Sequence, residues 1–157
     1  MSVGILGAGA FGTALAVALA ARGPVTLWTR NDDHARQMRD TRQNVSRLPG
    51  ITLPDDIDIS AKLETVLTCQ TLLFAVPTQH LRQVAADLDL SRRTAVACCK
   101  GIEVPTGVGP TSVLSNAEHP AALPGPRFAD DIARGLATPL TLACGVACWA
   151  QDLKAPV

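Results

Sequence analysis

Three glycines near the start of the chain, Gly7, Gly9 and Gly12, stand in the spacing G-x-G-x-x-G. They lie between the short apolar run Val3, Ile5, Leu6 and an Ala/Leu-rich run over residues 13–21. The order strand, glycines, helix constrains the fold more than any other feature, because each glycine has its own task in a turn built around an anion. Gly7 permits the tight exit from the strand, Gly9 keeps side chains away from a closely approaching diphosphate, and Gly12 lets the helix pack on the sheet. The start of that helix offers backbone N–H groups and about half a positive charge to the anion. A glycine-rich turn in an ordinary α/β domain is the alternative, and the two flanks favour nucleotide binding.

Downstream, strand-length apolar runs alternate with longer helical segments, as in successive βαβ units. The pattern predicts strands over residues 2–6, 25–29, 57–59, 71–76, 94–98 and 138–143. Helices are predicted over residues 11–22, 31–43, 60–67, 78–88, 111–117 and 146–153, with one more short helix ending at Arg134. Asn31 or Asp32 supplies the second cap and Ser60 the third. Residues 44–56, with Leu48-Pro49-Gly50 and Leu53-Pro54, read as a polar connection, and residues 101–109 as loop. Residues 71–76 are apolar almost throughout, as in a strand buried on both faces, and Pro77 marks its carboxyl end. The expected fold is α/β, a doubly wound, mostly parallel sheet in one domain over residues 1–157. Such sheets bind ligands in the loops at the carboxyl ends of their strands. Here those loops are residues 7–12, 29–32, 77–80 and 99–103, all predicted to share one edge.

Composition narrows the function. Fourteen basic residues balance fourteen acidic ones, so the chain lacks the field expected of a nucleic-acid or anionic-membrane binder. Gly, Arg and Pro interrupt every apolar run before the roughly 18 residues a membrane helix needs, and no basic signal-peptide start is present. A cytoplasmic location is the expectation. Hydrophobic residues make up 47% of the chain and aromatics only 3%, which calls for a core of Ala, Val, Leu and Ile. The five cysteines, Cys69, Cys98, Cys99, Cys144 and Cys148, have no C-x-x-C spacing and no accompanying pair of histidines. They read as small buried hydrophobes in reduced form, and no metal site is expected.

Two cations fall where chemistry is expected. The second predicted strand ends Leu27-Trp28-Thr29-Arg30, with no carboxylate at its tip. An acidic residue there would hold the ribose 2′-hydroxyl of NAD, whereas an arginine accommodates the 2′-phosphate of NADP. Arg30 is therefore placed to meet a 2′-phosphate or to lie on the adenine, an ordinary exposed arginine being the alternative; the first favours NADPH, while Asp32 and Asp33 are read as a helix start. Lys100-Gly101 follows an apolar strand and could offer an ammonium to a substrate oxygen beside the nicotinamide; most lysines, however, are solvated surface groups.

The segments GAGAFGTALA (7–16), LWTR (27–30), LPGITLP (48–54), AVPTQHLR (75–82), CKGIE (99–103) and GPRFADDIARG (125–135) occur in an order and spacing that resemble bacterial NAD(P)-dependent glycerol-3-phosphate dehydrogenases. The resemblance runs from Met1 to about Ala143. It implies a Rossmann-type cofactor domain and hydride transfer from NADPH or NADH to dihydroxyacetone phosphate, giving sn-glycerol 3-phosphate for phospholipid synthesis. It further implies that Gly7, Gly9, Ala10, Phe11, Gly12, Arg30, Pro77, Lys100 and Ala129 contact the cofactor, and that Lys100, Gly125 and Arg127 contact the substrate. Arg127 replaces the Ser or Thr usual in the family, and Pro139 is displaced from the family's G-x-P-T pattern. The family also carries a helical domain with a proton-transferring lysine in a GG-x-x-KN segment. This sequence contains no such segment, and Lys154 has none of its surroundings. The expectation is a chain that binds dinucleotide with little turnover of its own, and that associates with a second copy if apolar surface is left uncovered.

Overall fold

The computed structural model describes residues 2–123, 128–136 and 140–145. Along the chain these form β1 (Val3–Leu6), α1 (Ala10–Ala20), β2 (Val25–Trp28), α2 (Asp32–Thr41), β3 (Gln43–Asn44), β4 (Leu48–Thr52) and β5 (Ile57–Ser60). A 3₁₀ segment (Leu63–Thr68) leads to β6 (Thr71–Phe74), α3 (Thr78–Ala86), β7 (Thr94–Ala97), α4 (Pro110–Val113), β8 (His119–Ala122), α5 (Ala129–Ala133) and β9 (Ala143–Cys144).

Seven strands form one sheet in the order β5-β2-β1-β6-β7-β8-β9, parallel except for β9. The register is level: Leu6 lies opposite both Trp28 and Phe74, Phe74 opposite Ala97, and Ala97 opposite Ala122. Each of these residues is the last of its strand, so the loops that follow all leave from one edge. Strand order runs outward from β1 through β2 on one side and from β6 on the other. The crevice between the β1 and β6 loops is therefore the topological switch point at which such sheets bind ligands.

Alternation along the strands builds a core layer on each face. Ile5, Val25, Leu27, Leu73 and Val96 pack with Leu15, Ala16 and Ala20 of α1 and with Ala35 and Met38 of α2. Their neighbours Leu6, Trp28, Leu72 and Phe74 pack on the other face with Val66, Leu81, Ala85, Val113 and Leu114. Burying each large aliphatic or phenyl side chain contributes about 1.5–3 kcal/mol, and the alanines of α1 allow that helix to lie close to the sheet.

Several local expectations are corrected. Residues 44–56 are no plain connection, because β3 and β4 pair there as an antiparallel two-stranded sheet. Ser60 ends β5 and does not cap a helix, although its hydroxyl accepts from the Lys62 N–H at 3.1 Å. The following segment is 3₁₀, and Thr65 and Thr68 donate their hydroxyls to the carbonyls three residues back, at 2.7 and 2.9 Å. Such side-chain bonds compete with α-helical geometry. The helix expected over 111–117 is only the single turn α4. A strand, β8, forms where none was predicted, and its Pro120 pairs in register with Ala95. The last strand is shorter than expected, at Ala143–Cys144, and antiparallel. The expected helix over 146–153, Cys148 and Lys154 lie outside the described residues.

Candidate functional site

Gly7 leaves β1 with φ at +114° and donates its N–H to the Trp28 carbonyl at 2.9 Å, while Ala75 donates to the Leu6 carbonyl at 2.8 Å. The turn is thereby seated between β2 and β6. A Cβ on Gly7 would come within 2.6 Å of the Ala75 carbonyl oxygen, and one on Gly12 would collide with the Gly7 carbonyl. Packing forbids a side chain at both positions. Gly9 is different, because a Cβ there would meet no described atom within 4 Å. It is the N-cap of α1, no side chain caps that end among the described residues, and no acidic residue stands in the first turn. Among the described residues, the positive end of the helix therefore opens onto unfilled space in front of Gly9, which suits a diphosphate.

A cleft of about 540 Å³ extends from this turn. Gly9, Ala10 and Phe11 form one wall, Pro77, Thr78 and Gln79 the second, and Cys99 with Lys100 the third. The glycine turn, Pro77 and Lys100 are thus brought together by the level edge of β1, β6 and β7. Cys69 and Cys98 are buried, and Cys99 and Cys144 are half-buried.

The exposed Lys100 stands on a loop fastened to α3. The buried Thr78 hydroxyl donates to the Lys100 carbonyl, at the N-terminus of α3. The Gln79 side chain donates to the Ile102 carbonyl at 2.8 Å and accepts from the Val104 N–H at 3.0 Å. Arg82 pairs with Glu103, whose carboxylate also accepts from the Thr106 hydroxyl. The Arg82 hydrogen bonds, helped by Thr106, outweigh burial and lower the Glu103 carboxyl from its ordinary 4.5 to about 2.

Arg30 is exposed two residues beyond Trp28, on the loop next to the glycine turn, and does not line the cleft. Asn31 is the cap of α2, accepting from the His34 N–H at 2.9 Å, and Asp32 and Asp33 pair with Arg36 in its first turn. Ala129 opens α5 and packs with Phe11 around Ala14, Leu48, Ile51 and Ile132. Gly125 and Arg127 lie outside the described residues.

Sequence reasoning missed Asn44. Its side chain is buried and donates to the Ala8 carbonyl at 3.0 Å and to the Thr13 hydroxyl at 2.7 Å, clasping the glycine turn from behind. Its other end meets His34 Nε2 at 2.9 Å. A single polar residue in a two-residue strand carries no periodic signal that would find it.

A glycine turn of this shape, at the switch point of a mostly parallel sheet, defines a Rossmann-type α/β domain. The family described as NAD-dependent glycerol-3-phosphate dehydrogenase N-terminus matches residues 2–150, and the chain belongs to that family. A Roseobacter denitrificans protein named glycerol-3-phosphate dehydrogenase (NAD(P)+) is 52% identical over 160 residues, covering 98% of this chain and 50% of that protein. One of the same name from a Ruegeria species is 50% identical over 149 residues, covering 92% of this chain and 47% of its own. The crystal structure of glycerol-3-phosphate dehydrogenase from Coxiella burnetii superposes with a TM-score of 0.88 at 27% identity, over 97% of this chain and 49% of that one. The chain thus spans about half the length of the relatives it matches. Among the described residues, no helix is long and apolar enough to cross a membrane.

Proposed function

We propose that this chain is the cofactor domain of a cytoplasmic NAD(P)-dependent glycerol-3-phosphate dehydrogenase, and that it holds NADPH in preference to NADH. The observation that carries this reading is the uncapped start of α1 behind Gly9, open to the cleft that Lys100 borders from the opposite wall. In this reading the amides of the glycine turn bind the diphosphate, Ala10 and Phe11 flank it, and Pro77 lies against the nicotinamide ribose. Bound NADPH supplies the hydride that reduces the ketone of dihydroxyacetone phosphate to sn-glycerol 3-phosphate. Lys100 orients the substrate oxygen at the nicotinamide end of the cleft, Gly125 and Arg127 complete the substrate contacts, and Ala129 borders the cofactor. A proton must reach that oxygen as the hydride arrives at carbon. The family's GG-x-x-KN lysine does not occur in this sequence, so these 157 residues bind the cofactor with little turnover.

Arg30 decides between the two nucleotides. The carboxylates nearest in sequence, Asp32 and Asp33, are engaged with Arg36, which leaves the guanidinium as the charged group at the strand tip. Calorimetric titration of wild type and Arg30→Ala tests this. Loss of Arg30 should weaken NADPH by about 1.5–3 kcal/mol, the worth of a charge-assisted bond, with a much smaller change for NADH. Equal losses would overturn the NADPH preference, and failure of wild type to bind either nucleotide would overturn the domain's function.

A further inference from the structure

We propose that Asn44 and His34 are a positioning pair that makes the grip on a dinucleotide's diphosphate and the discrimination at its adenosine ribose depend on each other, although neither residue lines the cleft. The inference rests on the dinucleotide reading above and extends it to residues outside the binding wall.

The glycine turn is seated on β2 through its backbone, by the Gly7 N–H, but its own side chains add little to hold it in shape. Ala8 contributes a buried methyl group, and Gly7 and Gly9 contribute no side chain at all. Asn44 supplies the missing restraint, because its amide nitrogen reaches the Ala8 carbonyl on one side of Gly9 and the Thr13 hydroxyl on the other. The Ala8 carbonyl can only accept, so the nitrogen end of the Asn44 amide must face it and the oxygen end must face His34. His34 Nε2 therefore carries a proton and donates to Asn44 at 2.9 Å. The other ring nitrogen, Nδ1, faces the buried Thr29 hydroxyl at 3.4 Å. Thr29 immediately precedes Arg30, and Asn31 immediately follows it.

Asn31 is bonded to the backbone N–H of that same His34 at 2.9 Å. Arg30 is thus bracketed by two residues that both hold on to His34. A continuous path of hydrogen bonds runs from the Ala8 carbonyl through Asn44 and His34 to both sides of Arg30. Asn44 is only 1% exposed, and apart from His34 its oxygen end has only the longer bond from the Ser46 hydroxyl at 3.4 Å among the described residues. Breaking this path therefore leaves a buried polar group poorly paired, and a fully paired buried network is stiff for that reason. A shift of the turn that binds the diphosphate must move the backbone that aims Arg30, and the reverse holds equally.

Titration of the full chain with NADPH, NADH and ADP, on variants first shown by thermal melting to be folded, tests the pair. Gln can place an amide donor against Asn44 but cannot also reach Thr29. His34→Gln should therefore keep ADP affinity within about twofold, yet lower the NADPH:NADH affinity ratio by about threefold, the size of a modest coupling between neighbours. His34→Ala should lower both, and Asn44→Ala should weaken all three ligands by about tenfold, as loss of a buried hydrogen bond predicts. In the His34→Gln background, Arg30→Ala should also cost less NADPH affinity than it does in wild type. A merely structural role would leave the ratio unmoved. If both His34 variants bind all three ligands as wild type does, the proposal is overturned while the dinucleotide reading stands. If wild type binds none of the three, the dinucleotide reading falls first. Should Asn44→Ala not fold, the His34 variants decide alone.

Discussion

Arg82 holds Glu103 through two parallel hydrogen bonds, Nε to Oε1 at 2.8 Å and Nη2 to Oε2 at 2.7 Å, and so fastens α3 to the loop that carries Lys100. The carboxylate is buried while the guanidinium is half-exposed. The pair makes the Lys100 loop sensitive to acid. The Glu103 carboxyl titrates near 2 in the folded protein against an ordinary 4.5, so its stabilising contribution is complete above the higher value and disappears as pH falls toward the lower one. Thermal melting of wild type should accordingly lose more stability between about pH 4.5 and pH 2 than Glu103→Gln does. Asp89 and Asp130 are also lowered, by hydrogen bonds from Ser91 and Arg134, but they titrate alike in both proteins and cancel. Parallel melting curves for the two proteins across that range would refute this role for Glu103.

Gly9 and Gly12 should respond to the same substitution in opposite ways. Gly12→Ala drives a methyl group into the Gly7 carbonyl, an overpacking that should cost about 1–3 kcal/mol together with nucleotide affinity. Gly9→Ala places its methyl group in open space, so its melting temperature should stay near that of wild type while nucleotide affinity falls. Denaturant unfolding and NADPH titration on the two variants separate the effects. A Gly9→Ala protein that binds normally would mean the diphosphate lies elsewhere.

Thr78 offers a third test, at the opposite wall. Its hydroxyl donates to the Lys100 carbonyl, and Thr78→Val keeps the shape while deleting the donor. The orphaned carbonyl should cost about 1–3 kcal/mol, with weaker nucleotide binding as the Lys100 loop loosens. Thr78→Ser should restore both. Equal stability of the Val and Ser variants would show that the hydroxyl is idle.

Much of this site is legible in the sequence, because glycine spacing and alternation speak of local geometry. The turn over Gly7 to Gly12, a buried strand before Pro77 (read over 71–76 and formed over Thr71–Phe74), and the loop beginning at Cys99 all follow from apolar runs that stop at punctuating residues. The Asn31 cap follows from its own side chain. What stays hidden depends on long-range pairing. His119-Pro120-Ala121-Ala122 has no strand preference of its own, and it becomes β8 because Thr94–Ala97 offers it a parallel neighbour. Leu48–Thr52 contains Pro49 and Gly50 and still pairs with Gln43–Asn44. Asn44 escapes notice for the same reason: the partners through which it holds the glycine turn, Ala8 and Thr13, lie 36 and 31 residues away along the chain. The Arg82–Glu103 pair likewise joins residues 21 apart.

The level ending of β1, β2, β6, β7 and β8 divides the molecule into two rims with unequal freedom. One rim gathers the loops that line the cleft, so a change of length in any of them redraws the shared crevice. The other rim, where the chain turns back between α1 and β2 and again between α3 and β7, faces away from it. Extra residues grafted at those distant bends should leave the chemistry untouched, which makes them the natural places to attach a probe or a tether.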